Sequence, residues 1–293
     1  MQGLAALPFA AGLARVEAAV SPLLIDSHVH VWKRDAVFPF AAGANVPDVD
    51  ASAEALLGLM RRNGVARTVL IQVIHYKWDN RYLANVLRRY PGQFAGVCRV
   101  NPEDPAAPDT LSRLTEEDGF HGVRLSPAAG PAGDWIRSPL MAPLWRRCAQ
   151  LRVPMTLLLP ATRLPDVVPL LDQNPGLTVV IDHMADVATG QEDKLHLLLT
   201  MARYPHVFVK LSHAWSVSRL PYPYPDALEQ IKRLVDVFGA HRLMWGTDWP
   251  VSRNSLSYAQ AVALYRDHLG FLSRQERNDI LHGTVQRVWP FGL

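Results

Sequence analysis

The stretch Leu24-Ile25-Asp26-Ser27-His28-Val29-His30-Val31-Trp32 opens the first β/α unit of the chain, and its surroundings decide the fold. Leu23–His28 has the character of a strand, yet no Gly-x-Gly-x-x-Gly follows it, so the phosphate-binding turn of a doubly wound open sheet is missing. Side chains alternate between the faces of a strand, which predicts that Asp26, His28 and His30 point one way and the apolar residues between them the other. Two imidazoles one pleat apart at a strand end can reach a single divalent metal ion. A short His-x-His also arises by chance, so its meaning depends on what the other strands bring to the same place.

Working outward, short β-rich runs alternate with helical patterns, the sequence mark of βα units and a parallel sheet. Strands are predicted at Ala66–Ile74, Phe94–Arg99, Gly122–Leu125, Pro154–Leu159, Leu177–Ile181, Val207–Leu211 and Arg242–Trp245. Ser52 is placed to cap a helix over Ala53–Arg62 that ends at Asn63-Gly64, and further helices are predicted at 79–90, Thr110–Asp118, Pro139–Leu151, Leu164–Asn174, Lys194–Tyr204, Pro225–Phe238, Tyr258–His268 and Arg274–Leu281. Eight strands each followed by a helix predict an α/β chain folded as one (β/α)8 TIM-type barrel over residues 21–293.

Composition agrees with one large enzyme-sized core. The 293 residues are 49% hydrophobic and 19% charged, and the net charge of +3 is spread without a polybasic run, which argues against a nucleic-acid partner. Cys98 and Cys148 lie in apolar contexts with no Cys-x-x-Cys, so two buried thiols are expected. Residues 1–20 differ from the rest: small and apolar, uncharged before Arg15, with Val16-Glu17-Ala18 resembling a small-residue cleavage site. They are read as an N-terminal extension, with a truncated export signal of the twin-arginine type as one interpretation; no basic segment precedes the apolar run, which is too short to span a membrane. The expected compartment is the cytoplasm, or the periplasm if a longer start encodes paired arginines.

In a (β/α)8 barrel the C-terminal strand ends face the active site, so polar residues there carry more weight than elsewhere. Strand one ends in His28 and His30, two in His75, three in Arg99, four in Arg124, six in His183, seven in Lys210, Ser212 and His213, and eight in Asp248. Asp248, within Gly246-Thr247-Asp248-Trp249-Pro250, can ligate a metal opposite the histidine pair or take a proton from water. The loop His75-Tyr76-Lys77-Trp78-Asp79-Asn80 mixes aromatic and polar groups suited to an unsaturated ring, so His75, Tyr76 and Trp78 are candidate substrate contacts, as is His213. Tyr222 and Tyr224, in a stiff Pro-Tyr-Pro-Tyr-Pro segment, are weaker candidates for a lid.

Five of these runs in order, Ile25 to Trp32, Gly122-Val123-Arg124-Leu125, Ile181-Asp182-His183-Met184, Val209-Lys210-Leu211-Ser212 and Trp245 to Pro250, resemble the amidohydrolase superfamily, specifically its amidohydrolase-2 branch. Within it the chain is most similar to lactone hydrolases of the pyrone-dicarboxylate, sugar-acid and muconolactone types. The resemblance implies that His28, His30, His183 and Asp248 are the catalytic centre, and the further imidazoles of His75 and His213 near the same mouth favour one divalent ion there, Zn2+ or Mn2+. It also implies that Arg124 grips a substrate carboxylate, as a guanidinium can do bidentately. Strand five offers Leu157, Leu158 and Leu159 where two-metal members place a histidine, and strand four offers Arg124 where many place a carboxylated lysine or a glutamate, so a binuclear site is not expected. The pyrone-dicarboxylate relatives work without a metal, which leaves a metal-free histidine cluster open.

The expected reaction is hydrolysis of a carboxylate-bearing lactone by water, with Asp248 as general base; the alternative is metal-dependent decarboxylation of an unsaturated semialdehyde or aromatic acid. The expected partner is a small anionic lactone, with a homo-oligomer open and neither nucleic acid nor membrane involved. A non-catalytic barrel would have no use for the His/Asp set.

Overall fold

The computed structural model describes residues 23–126, 135–289 and 291; the expected N-terminal extension lies outside them. Eight strands run β1 (Leu24–Val29), β2 (Val65–Ile71), β3 (Phe94–Cys98), β4 (Gly122–Leu125), β5 (Met155–Leu157), β6 (Val179–Ile181), β7 (Val207–Lys210) and β8 (Leu243–Met244). Every neighbouring pair is parallel and the spatial order is the sequence order. The ring closes where β8 meets β1: Ser27 N donates to Trp245 O at 3.2 Å, Asp248 N to His28 O at 2.9 Å and His30 N to Trp249 O at 2.8 Å. The fold is thus the expected (β/α)8 barrel.

Closure needs a glycine. A Cβ on Gly246 would lie 2.9 Å from His28 Cβ, so only a bare backbone lets the end of β8 approach β1 this closely.

Inside the barrel, Ile25, Val69, Ile71, Ala95, Val97, Val180 and Met244 pack together with Val285, Val288 and Trp289 from the C-terminal segment. Trp289 thereby closes one end of the barrel, and a Cβ on Gly122 would lie 2.8 Å from its Nε1, which is why β4 can pass it only as glycine. The larger apolar cluster fills the layer between sheet and helices, where Leu56, Leu83, Leu111, Leu144, Ile231 and Leu264 are buried.

Helix Ala53–Asn63 is capped as predicted: Ser52 Oγ accepts from Ala55 N at 3.3 Å, and Gly64 ends it at φ 69°. Differences concentrate at strand C-termini. β2 stops at Ile71, and His75 falls in a short 3-10 turn, Ile74–Tyr76, rather than on the strand. β5 and β8 are likewise shorter than their apolar runs, and the runs' last residues, Leu159 and Trp245, are buried in the layer between sheet and helices. The third predicted helix begins earlier, at Ala107, since Pro108 in the first turn needs no backbone donor. Cys98 and Cys148 are free and buried, as expected. Among the described residues no helix is long and apolar enough to cross a membrane.

Candidate active site

Alternation along β1 breaks just before the histidines. Its register against β2 shifts between Asp26 and Val29, so Ile25 and not Asp26 shares the barrel interior with the histidine pair. Asp26, expected beside His28 and His30, instead clamps the barrel seam: its carboxylate accepts from Thr247 N at 3.0 Å, Thr247 Oγ1 at 2.6 Å, His28 N at 3.1 Å and Tyr258 Oη at 3.3 Å. The seam bonds in turn place Asp248 against the pair.

At the centre, His28 Nε2 lies 3.4 Å from His30 Nε2, and Asp248 Oδ1 lies 3.5 Å from the first and 3.4 Å from the second. His183 joins them, since one donor atom each from His28, His183 and Asp248 all lie within 4.8 Å of one another. His30 is oriented by its other nitrogen, which donates to Ile71 O at 2.7 Å and leaves Nε2 with a free lone pair. His183 Nδ1 is held by Ser212 Oγ at 2.6 Å. All four residues are buried.

This placement requires strained backbone. His183, Met184, Ala185 and Asp186 are left-handed in succession, at φ 54°, 52°, 53° and 52°, and so are His213 at 69° and Asp248 at 52°. For residues with a Cβ each costs on the order of 1–2 kcal/mol, and such strain persists where surrounding packing enforces it, most often at functional sites. The turn after β6 carries His183 and Asp186 towards β7 and β8 at once.

Burial sets the charges. It pushes His28 down to about 3, helped by the Lys210 ammonium, and His30 down to about 4, against the pull of Asp248. His183 is driven well below the ordinary histidine range by burial and the charge of His213. Three neutral imidazoles therefore face one carboxylate. Burial alone would raise Asp248, but its bond to His213 and that ring's charge hold it below the ordinary value.

Two supporting networks were only partly legible beforehand. His213 was expected at substrate; instead its Nε2 lies 2.6 Å from Asp248 Oδ2, its Nδ1 3.3 Å from Asp186 Oδ1, and its ring stacks on His183 at 3.5 Å and 2°. Both ring nitrogens are spent on carboxylates. Burial opposes its protonation, but the bonds to Asp186 and Asp248 raise it to about 9, so it is an imidazolium at neutral pH.

Asp182 anchors the second network. Arg124 Nε donates to its Oδ2 at 2.8 Å, Lys210 Nζ lies 3.1 Å from Oδ1, and His28 Nδ1 lies 3.3 Å from Oδ1. Despite burial, Lys210 and Arg124 hold Asp182 well below the ordinary carboxylate range. His28 Nδ1 stands between this oxygen and Lys210 Nζ, 3.2 Å away. A proton on Nδ1 facing Asp182 frees Nε2 as a metal donor; accepting from Lys210 puts the proton on Nε2. No role had been assigned to Asp182 or Asp186, although alternation beyond the inward Val180 places Asp182 inside the barrel.

Of the remaining expected contacts, Arg124 keeps its terminal nitrogens clear of any hydrogen bond among the described residues while Nε holds Asp182. His75 is half-buried with its ring edge-on to Trp32 at 4.9 Å, outside the cluster. Tyr76 is not brought to the site: it is buried against Phe40 and Tyr82, and its hydroxyl is bonded to the backbone of Lys33. Trp78 is partly exposed, with the Arg99 guanidinium 5.2 Å over its ring. Tyr224 is buried in contact with Tyr222, whose hydroxyl meets Gln260 O at 3.4 Å, so these two pack rather than reach the cluster.

The donor set fits a metal ion. Zinc–nitrogen bonds of about 2.0–2.1 Å in tetrahedral geometry set their donors about 3.3–3.4 Å apart, close to the spacings of His28, His30 and Asp248. Asp248 Oδ1, the oxygen facing both histidines, is buried and has no hydrogen-bond partner. A buried carboxylate oxygen left bare inside a ring of lone pairs is what an absent cation or a reacting proton would satisfy.

A buried His/Asp group suited to a metal ion thus sits at the C-terminal mouth of an α/β barrel. The family model described as Amidohydrolase matches residues 25–291, so the chain belongs to the amidohydrolase family. It is 32% identical over 238 residues to L-fucono-1,5-lactonase of Burkholderia ambifaria, covering 78% of this chain and 81% of that one. A Pseudomonas putida structure described as a candidate 2-pyrone-4,6-dicarboxylic acid hydrolase superposes with a TM-score of 0.80 at 29% identity, covering 94% of this chain and 100% of that one. A Burkholderia multivorans amidohydrolase solved with bound zinc superposes with a TM-score of 0.74 at 25% identity, covering 92% of this chain and 100% of that one.

Proposed function

We propose that this chain hydrolyses a lactone bearing an acidic group. The observation that carries it is the division of labour on Asp248: Oδ2 is held by the His213 imidazolium at 2.6 Å, while Oδ1 is bare and faces the neutral His28 and His30. Oδ1 is the atom that takes the proton of the attacking water. As the water oxygen bonds to the ring carbonyl carbon and the carbon–oxygen bond of the ring breaks, Asp248 returns that proton to the departing oxygen, giving a hydroxy acid or its keto tautomer. Arg124 presents its terminal nitrogens to a carboxylate of the substrate, with Asp182 fixing the guanidinium from behind.

His28, His30, His183 and Asp248 are the residues that would hold one divalent ion, with zinc or manganese suited to imidazole and carboxylate donors. When bound, such an ion polarises the carbonyl and lowers the pKa of water. The similarity to a fuconolactonase and to a pyrone-dicarboxylate hydrolase supports lactone chemistry, and the zinc-bound relative supports the ion.

A panel of sugar-acid, muconolactone-type and pyrone-dicarboxylate lactones, assayed with and without added Zn2+ or Mn2+, tests the assignment. Ring opening of at least one acidic lactone, abolished in Asp248→Asn, is the expected result. Carbon dioxide release without a ring-opened product would replace hydrolysis by decarboxylation.

A further inference from the structure

Arg99 is a strand-end group that the site described above does not use. Ala95 and Val97 of β3 face the barrel interior, so alternation carries Arg99 inward, and the register that pairs Cys98 with Val123 sets it beside Arg124 at the mouth. It is only 4% exposed. Its Nε is buried without a hydrogen-bond partner, and no guanidinium nitrogen of Arg99 is bonded or ion-paired among the described residues. Its backbone, by contrast, is fixed on both sides by Asn80, which accepts from Arg99 N and donates to Arg99 O, each at 2.9 Å.

The nearby carboxylates are already engaged. Asp182 serves Arg124 and Lys210, and Asp248 serves His213 and faces the histidines. Burying a guanidinium beside a second one with no counter-ion among the described residues is costly: desolvation, and then the charge of Arg124, pulls Arg99 down to about 9, still cationic at neutral pH. The Trp78 ring 5.2 Å away supplies a cation–π contact that fixes the guanidinium plane without neutralising it. Among the described residues no carboxylate pairs with this guanidinium.

We propose that Arg99 binds a second acidic group of the substrate, so that the lactone carries two acids, one on Arg124 and one on Arg99 over Trp78. The proposal rests on lactone hydrolysis as proposed above and narrows it to a diacid, as against a neutral sugar lactone. Arg99 acts as a binding and specificity residue; Arg99→Gln removes the fork and the charge, whereas Arg99→Lys keeps the charge and loses the bidentate geometry.

Isothermal titration with isophthalate and benzoate, two non-hydrolysable probes differing by one carboxylate, reads the subsite without turnover. Wild-type protein is expected to prefer isophthalate by about 10- to 100-fold, the worth of one charge-assisted pair. Arg99→Gln is expected to erase that preference while leaving benzoate within about twofold, and Arg99→Lys to keep part of it. Equal affinity for the two probes in wild type, or an equal loss of both in Arg99→Gln, overturns the proposal. Thermal unfolding of the ligand-free variants is a second readout: removing an unpartnered buried charge should hold or raise the midpoint, and a fall of about 6 °C or more would mark Arg99 as structural and overturn it. The preference for isophthalate in a protein that opens no lactone refutes the reaction and leaves the subsite standing; lactone opening without the preference does the reverse.

Discussion

Asp248 Oδ2 lies 2.6 Å from His213 Nε2, and the same imidazole lies flat against His183 at 3.5 Å. His213 therefore joins the proposed base to a proposed metal donor. Asp248→Asn removes the proton acceptor with little change in shape, and kcat should fall by about 10³-fold or more with KM changed only a few-fold. His213→Asn leaves the carboxylate but frees its orientation, so the loss should be smaller, about 10- to 100-fold. Steady-state kinetics on one lactone, with circular dichroism to confirm folding, compares them.

The two carboxylates on His213, Asp186 and Asp248, give a pH dependence of stability. His213 is raised from 6.5 in the unfolded chain to about 9 in the folded one, so the native state holds that proton more tightly. The resulting stabilisation is complete below pH 6.5 and is lost as the pH rises through 9, a change on the order of 3 kcal/mol. Urea unfolding between pH 6 and 10 should show this decline in wild type and a flatter profile in His213→Asn. Identical slopes would show that the ring gains no proton affinity on folding.

Much of this architecture was legible in the chain. Apolar runs alternating with capped helices gave the barrel, and strand-end arithmetic brought His28, His30, His183 and Asp248 to one mouth. The rest depended on geometry that alternation cannot supply. One register shift in β1 sends Asp26 to Thr247 and away from the histidines. A left-handed turn at four consecutive residues after β6 carries Asp186 to His213, and nothing in Asp182-His183-Met184-Ala185-Asp186 announces it, because it contains no glycine. Tyr76 looked like a substrate contact because it follows β2 beside polar residues, but a 3-10 turn rotates it into the aromatic packing of Phe40 and Tyr82.

Metal content follows from the bare oxygen of Asp248. Protein purified with Zn2+ or Mn2+ present should carry about one ion per chain, and exhaustive dialysis against a chelator should abolish turnover in a manner reversed by adding the ion back. His30→Ala and His183→Ala should lower bound metal measured by emission spectrometry, whereas Arg124→Gln should leave it unchanged and raise KM. Full activity of metal-free protein would assign the carbonyl-polarising role to the histidines themselves.

Lys210 offers a sharper test of what holds the centre in place. Its ammonium is fully buried, 3.1 Å from Asp182 Oδ1, 3.2 Å from His28 Nδ1 and 5.0 Å from the ring of Trp289, so it spans from the His/Asp cluster to the barrel plug. Lys210→Met leaves Asp182 charged with Arg124 alone, and breaking one side of a buried network of this kind costs about 3–5 kcal/mol. Asp182→Asn should cost a similar amount by leaving two cations unneutralised. In the double variant the remaining charge is Arg124, so its loss of stability should be well below the sum of the two, a coupling that unfolding of all four proteins measures directly. The double variant should nevertheless stay impaired in turnover, because His28 Nδ1 has lost both neighbours that fix its proton. Restored activity along with restored stability would confine Lys210 and Asp182 to a packing role.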